Sequence, residues 1–484
     1  NDANSQFNFG RALAGMGDAE GAVVAYRKSL EIKPDYVDAL NNLGYELSKQ
    51  GQYDEALACY LEAIQADAAN ALAQFNCGYE MARRGRLDEA VAHLRESLKS
   101  DPKNADAHYN LGLALEKQGK GDESTQAFQA AVEANPQLVA AHVSLGYALH
   151  RQSEFEAAGV QFDAALALNP SDDAAQYGAG LIRQEGGQYK DAIQHFEEAL
   201  RLNPNRTDVH YNLGLALAQE QRFADALPHL EEAVRINAGD ANILFNYARA
   251  LAATGNTAEA IAQYEQVLTI DPSHAGTMNN LGYELFKQGR TEEAVAFFER
   301  VLNNDPGNVR AHLNLGFVLT QMNRTEEGLT HAEEALRLDP QNADAHLNMA
   351  LVLASQGKST EAMTHYEECI RLNPDNATAQ QNLADMLAAQ GAQEEALEHY
   401  RAALKADPSN PNTSKNMAFL VAKQGRLGEA ADLFAKSLAL EPDDADSHAG
   451  LADALAAQGR QEEAEGHYQE ALRHLEEARK LQPL

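Results

Sequence analysis

One pattern returns every 34 residues, from residue 3 to residue 475, with no insertion or deletion. Pro34, Pro102, Pro136, Pro170, Pro204, Pro272, Pro306, Pro340, Pro374, Pro408 and Pro442 mark its rungs, and Ala68 and Ala238 fill the two rungs without proline. No other feature constrains the fold as much, because a unit this short cannot bury its apolar face alone. Neighbouring units must stack, and the core becomes one continuous strip.

A second column reads Gly10, Gly44, Gly78, Gly112, Gly146, Gly180, Gly214, Ala248, Gly282, Gly316, Ala350, Ala384, Ala418 and Ala452. A third begins at Ala22 and is alanine throughout except for Ser124 and Gly328. Glycine inside a helix costs about 0.5–1 kcal/mol relative to alanine, so its recurrence needs a packing reason. Close approach of a second helix supplies one. Large apolar residues stand beside these columns, as Leu43, Leu47, Tyr53 and Tyr60 do in the second unit. Their spacing fits two amphipathic helices joined at Gly51, with the proline at the end of each unit stopping the second helix.

These columns resemble the tetratricopeptide repeat, over residues 3 to about 483. The resemblance implies an all-α chain, a right-handed superhelical α-solenoid of about 14 helix-turn-helix repeats in a single domain over residues 1–484. It also implies that the first helices line a concave groove while the second helices face outward.

Composition agrees with helices packed through small residues, since only 7% of residues are aromatic and tryptophan is absent. The formal net charge of −33, with no block of Lys or Arg, repels phosphate backbones and argues against nucleic acid as a partner. No run of about 18 apolar residues occurs, so no membrane insertion is expected. No signal-peptide pattern follows Asn1, and the sequence fixes no compartment. Cys59, Cys77 and Cys369 lie far apart without a CxxC pair, which points to neither a zinc site nor a disulfide framework. Cys77 and Cys369 fall in core columns, where a thiol acts as a small apolar group.

One column is not explained by packing. Asn8, Asn42, Asn76, Asn110, Asn212, Asn246, Asn280, Asn314, Asn348, Asn382 and Asn416 recur two residues before the Gly/Ala column, lapsing at Ser144, Gly178 and Gly450. Asparagine is a mediocre helix former because its amide competes for backbone bonds. The same amide can pair in two-pronged fashion with a peptide group, so a ladder of them suits an extended chain of any sequence. The column is similar to the asparagine ladder in the tetratricopeptide region of the O-linked N-acetylglucosamine transferase family, which implies grip on a substrate backbone. The alternative is that each amide bonds to an adjacent helix and binds nothing.

Aromatic residues flank the ladder. Tyr45, Tyr79, Tyr147, Tyr283, Phe317 and Phe419 follow it by three residues; Phe75, Tyr109, Tyr177, Tyr211 and Phe245 precede it by one. The first set suits recognition, and the second fits gap-filling between helices better. Lys49, Arg83, Lys117 and Arg151 form a row of cations near the ends of successive first helices. They either complement the helix dipole or mark a local site for acidic peptide. The carboxylate clamp of chaperone cofactors is absent, because it needs lysine where this chain has Phe75, Tyr109 or Tyr211.

Six histidines (His108, His142, His210, His312, His346 and His448) share one column, and His93, His195, His229, His331, His365, His399 and His467 share another. Within a column they stand a whole repeat apart, so a metal site would need facing residues from adjacent units, and none is expected. No nucleophile motif, phosphate loop or acid–base pair appears, so the chain reads as a non-enzyme without a cofactor. Sequons at Asn205, Asn323, Asn376 and Asn412 lie in or near expected turns and matter only if the chain is secreted.

The leading reading is a protein-interaction scaffold that holds an extended peptide in the groove. A second is a structural protein stacking end to end into a filament. A third is the targeting arm of a glycosyltransferase whose catalytic domain is absent. Near the C-terminus, Tyr468-Gln-Glu-Ala471 is echoed by Leu475-Glu-Glu-Ala478 two helical turns later. One lengthened helix over about 462–481 is therefore expected, with Leu472, Leu475 and Leu481 as an apolar stripe that either folds over the last unit as a cap or docks on the start of another molecule.

Overall fold

The computed structural model describes residues 2–481, with side chains as far as residue 477. Those residues form 28 helices and no strand, two helices to each 34-residue unit. In the second repeat the first helix is Val37–Lys49 and the second is Tyr53–Ala66. The chain divides into two compact units, residues 1–254 and 255–484. Within each unit successive helices pack in order, and neighbouring first helices also touch.

Three columns account for the local geometry. The residue preceding the first helix is asparagine in six repeats (Asn70, Asn104, Asn308, Asn342, Asn376 and Asn410), and in each its side chain accepts a hydrogen bond from the amide three residues on. Such a cap satisfies a backbone donor that the helix itself leaves open. Tyr36, Leu138 and Arg206 stand at the same position without a side-chain cap. Every turn inside a repeat passes through one residue at φ between 58° and 85°; this is glycine in eleven repeats and Ser153, Gln221 or Asn323 in the others. That conformation crowds a Cβ, which explains the glycines.

The Gly/Ala column faces one column of the second helix in its own repeat, which is aromatic in most repeats and leucine at Leu94 and Leu230. A Cβ on Gly44 would lie 2.6 Å from the Tyr60 ring, and one on Gly112 would lie 2.5 Å from the Phe128 ring. Tyr60 and Phe128 are among the largest fully buried side chains. The small residues of the third column, Ala22, Ala56 and Ala90, are wholly buried as well.

The last helix spans Gln461–Leu481, 21 residues against 14 for Leu427–Leu440 before it. Its buried face is Ala464, Ala471 and His474, whereas Leu472 and Leu475 are 61% and 56% exposed. The expected stripe is therefore not folded back over the last repeat at these two positions, and the Leu481 side chain lies outside the described residues.

Candidate functional site

Three adjoining cavities open along the first helices of repeats 1 to 4. The first, about 230 Å³, is lined by Arg11, Ala14, Tyr26, Asn42, Tyr45 and Glu46. The second, about 350 Å³, shares Tyr45 and adds Lys49, Tyr60, Phe75, Asn76, Tyr79, Glu80 and Arg83. The third, about 140 Å³, shares Tyr79 and Arg83 and adds Asn110, Leu113 and Lys117. Thus the ladder, the exposed tyrosines and the cation row meet on one surface in this part of the chain. Tyr45 is 55% exposed and Tyr79 40%; Tyr283 in the second unit is similar at 45%.

The ladder amides do not all have the same fate. Asn212 donates to the Tyr177 hydroxyl at 2.9 Å and to the Asp208 carbonyl at 2.8 Å. Asn246 repeats this with Tyr211 and Asn242. Asn110 bonds the Asp106 carbonyl of its own helix, Asn348 the Leu313 carbonyl of the preceding first helix, and Asn416 the Asp385 carboxylate. Asn280 lies 3.3 Å from the Tyr264 hydroxyl and accepts from Arg310, and Asn42 bonds Tyr26. Among the described residues no side-chain hydrogen bond of this kind forms at Asn8, which is exposed, or at the half-buried Asn76, Asn314 and Asn382. Tyr147 is not a free recognition ring, because its hydroxyl donates to the Ala174 carbonyl at 2.6 Å and its ring packs edge-on against Phe162.

Three of the four cations in the row, Lys49, Arg83 and Arg151, are held by carboxylates or rings. Lys49 sits 3.0 Å from Glu46 and over the Tyr45 ring at 5.5 Å. Arg83 stacks on Tyr53 at 4.5 Å and on Tyr79 at 5.9 Å. Arg151 pairs with Glu116 of the preceding repeat. Sequence reasoning missed the partners Glu46, Glu80 and Glu284, which are 4%, 2% and 4% exposed. Their column is otherwise apolar, as at Ala114, Ile182, Val318, Met386 and Leu420, so the signal was available. Each belongs to a Gly-Tyr-Glu-x-x-(Lys/Arg) segment, and Lys287 beside Glu284 and Tyr283 completes the third copy.

A second missed arrangement joins the two histidine columns inside a single repeat rather than between repeats. The Nδ1 atoms of His210 and His229 lie 3.2 Å apart; those of His312 and His331, His346 and His365, and His448 and His467 lie 2.9, 3.0 and 3.0 Å apart. In each pair the first histidine also bonds a proline carbonyl through Nε2, at Pro204, Pro306, Pro340 and Pro442. Elsewhere glutamine takes one place, as in His93 with Gln74 and His142 with Gln161. Burial pushes the His229, His331, His365 and His467 imidazoles below the usual range, and the neighbouring histidine adds to the shift. Among the described residues no group of three or more metal-ligating side chains forms.

Burial also pushes the Cys77 thiol up to about 12 and those of Cys59 and Cys369 to about 11, which removes them as nucleophiles. Of the sequon asparagines, Asn205 and Asn323 are exposed in turns. Asn376 caps a helix by accepting from Ala379, and Asn412 lies inside Pro411–Lys423.

Tetratricopeptide-repeat family models match residues 10–70, 78–278 and 285–479 between them. No curated protein matches the sequence. Among solved structures, YrrB, described as a tetratricopeptide protein with an unusual peptide-binding site, is 31% identical over 39% of this chain and 96% of its own, with a TM-score of 0.37. Yeast Tom70 is 16% identical over 88% of this chain and 96% of its own, with a TM-score of 0.44. The Cut9–Hcn1 hetero-tetramer is 13% identical over 94% of this chain and 96% of that chain, with a TM-score of 0.47. With one helix pair per 34-residue unit and family models matched along nearly its whole length, the chain belongs to the tetratricopeptide-repeat family.

Proposed function

We propose that this protein-interaction scaffold holds an extended peptide segment along the first helices of repeats 2 to 4. The observation that carries the reading is the run of three cavities sharing Tyr45, Tyr79 and Arg83, with a ladder asparagine in each. Asn76 contributes most, because its amide makes no side-chain hydrogen bond among the described residues and lines the largest of the three. Asn42 can exchange its Tyr26 bond for one to a peptide group. The exposed Tyr45 and Tyr79 rings supply contact area at small entropic cost. Asn110 and Asn212, tied to carbonyls of their own helices, contribute less.

The test is peptide affinity. Peptides selected from a random display library on the wild-type chain should bind the Asn42→Ala/Asn76→Ala variant about 10- to 100-fold more weakly, as expected for two lost hydrogen bonds. Helicity should not change. Equal affinity in the variant would refute the reading.

A further inference from the structure

We propose that the cavity between repeats 2 and 3 is a socket for a basic side chain, a lysine or arginine, of the bound segment; this rests on the groove reading above. The cavity is lined by the rings of Tyr45, Tyr60, Phe75 and Tyr79 together with Glu80, Lys49 and Arg83. The Phe75 and Tyr79 rings are stacked, 6.3 Å apart. Aromatic faces attract cations, and the attraction grows when the site excludes water.

Glu80 sets the chemistry. It is 2% exposed, in a column that is apolar in every repeat except those of Glu46, Glu80 and Glu284. A carboxylate placed there loses its hydration and needs charged, hydrogen-bonded compensation. Its internal compensation is thin. The Ser48 hydroxyl donates to it but is neutral. The Arg83 guanidinium stands 3.6 Å away, beyond hydrogen-bond reach, because it bonds the Tyr53 hydroxyl at 3.2 Å and stacks on that ring. Lys49, the other cation of the lining, is held by Glu46 at 3.0 Å.

A carboxylate only accepts, so the complementary group must donate, and a charged donor forms the stronger bond. An acidic side chain would meet Glu80 itself, and an apolar one would desolvate it further without a partner. Counting Glu46 with the lining, Lys49 and Arg83 balance Glu46 and Glu80, so the socket does not repel a cation on net. The chain as a whole carries −33, and its field draws a basic segment inward. The third copy of the motif differs in one respect: Lys287 sits 2.9 and 3.1 Å from the two Glu284 oxygens, so that carboxylate is already satisfied.

The experiment uses the full chain and fluorescent alanine-based peptides that carry lysine, arginine, norleucine or glutamate at matched positions. Anisotropy is read at about 0.15 M salt, where the long-range field is screened. The lysine and arginine peptides should bind at least about tenfold more tightly than the norleucine peptide, as expected for a charge-assisted bond to a buried carboxylate. Glu80→Gln should abolish that preference, while Glu62→Gln on the exposed face of a second helix should not. If the glutamine variant loses helicity, Glu80→Met, matching Met386 in the same column, replaces it. A norleucine or glutamate peptide binding as tightly as lysine overturns the socket. So does an unchanged lysine preference in Glu80→Gln while Asn42→Ala/Asn76→Ala weakens every peptide, an outcome that leaves the groove standing. The converse pattern, with the asparagine variants silent and Glu80→Gln still abolishing the lysine preference, removes the backbone grip and keeps the socket.

Discussion

Replacing Gly112 by leucine probes the helix crossing on which every repeat depends. A Cβ there would lie 2.5, 2.6 and 3.0 Å from three atoms of the Phe128 ring, before the rest of the side chain is added. Phe128 is wholly buried and cannot swing into water. Overpacking of this kind costs about 1–3 kcal/mol. Removing a helical glycine returns about 0.5–1 kcal/mol, so a net loss centred on about 1 kcal/mol and at most about 2.5 kcal/mol is expected. Phe128→Ala alone should cost about 3–5 kcal/mol through the cavity it leaves. In the double variant leucine occupies part of that cavity, and the combined cost should fall short of the sum by about 1 kcal/mol or more. Repeat arrays do not unfold as one cooperative block, so the readout should be local. Hydrogen exchange of amides in Ala105–Lys117 and Gly121–Ala134 provides it. Unchanged exchange in Gly112→Leu, or simple additivity in the double variant, would refute the crossing geometry.

Three further perturbations test separate parts of the account. Ser153→Gly and Gln221→Gly should each stabilise their turn by about 1 kcal/mol, and Gly119→Ala should weaken its turn by a similar amount, because all three positions hold positive φ; local exchange rates check the signs. Asn342→Ala should cost about 0.5–2 kcal/mol through loss of the cap to Ala345, whereas Leu138→Asn should gain part of that; hydrogen exchange in the capped helix of each variant reads the difference. The paired histidines predict acid sensitivity. His331, His365 and His467 have folded pKa values below the unfolded value, so the unfolded chain binds more protons and stability falls as pH drops below about 6.5. The charged groups beside them are Glu327 at His331, Glu361 and Glu368 at His365, and Glu463 and Glu470 at His467; all oppose the shift without reversing it. The triple variant His331→Gln, His365→Gln, His467→Gln, which copies the His142–Gln161 arrangement, should lose less stability between pH 7 and 5.5 than the wild type. Parallel pH curves for the two proteins would contradict the assignment.

Much of the fold was legible because its determinants recur at a fixed period. A glycine at residue 112 explains itself only beside Gly44, Gly78 and Gly146, and the column then implies the crossing. The fate of the ladder was less legible. Whether an asparagine is free depends on a hydroxyl one repeat earlier, as with Tyr177 for Asn212 and Tyr211 for Asn246, which is a relation between columns. The histidine pairs escaped for the same reason: each column was read alone, although a separation of 19 residues links His312 to His331. Glu46, Glu80 and Glu284 were hidden because a carboxylate in a helix reads as solvated surface unless its column is compared across repeats.

The most direct measurement of the central claim is contact between a bound peptide and the first helices. A photoreactive residue at Leu113, which lines the third cavity, should crosslink to a library-selected peptide and yield peptide-bearing fragments on mass spectrometry. The same residue at Leu61, 41% exposed on the second helix Tyr53–Ala66, should not. Excess unlabelled peptide should abolish the Leu113 crosslink. Equal crosslinking from both positions, or crosslinking from Leu61 alone, would contradict the account.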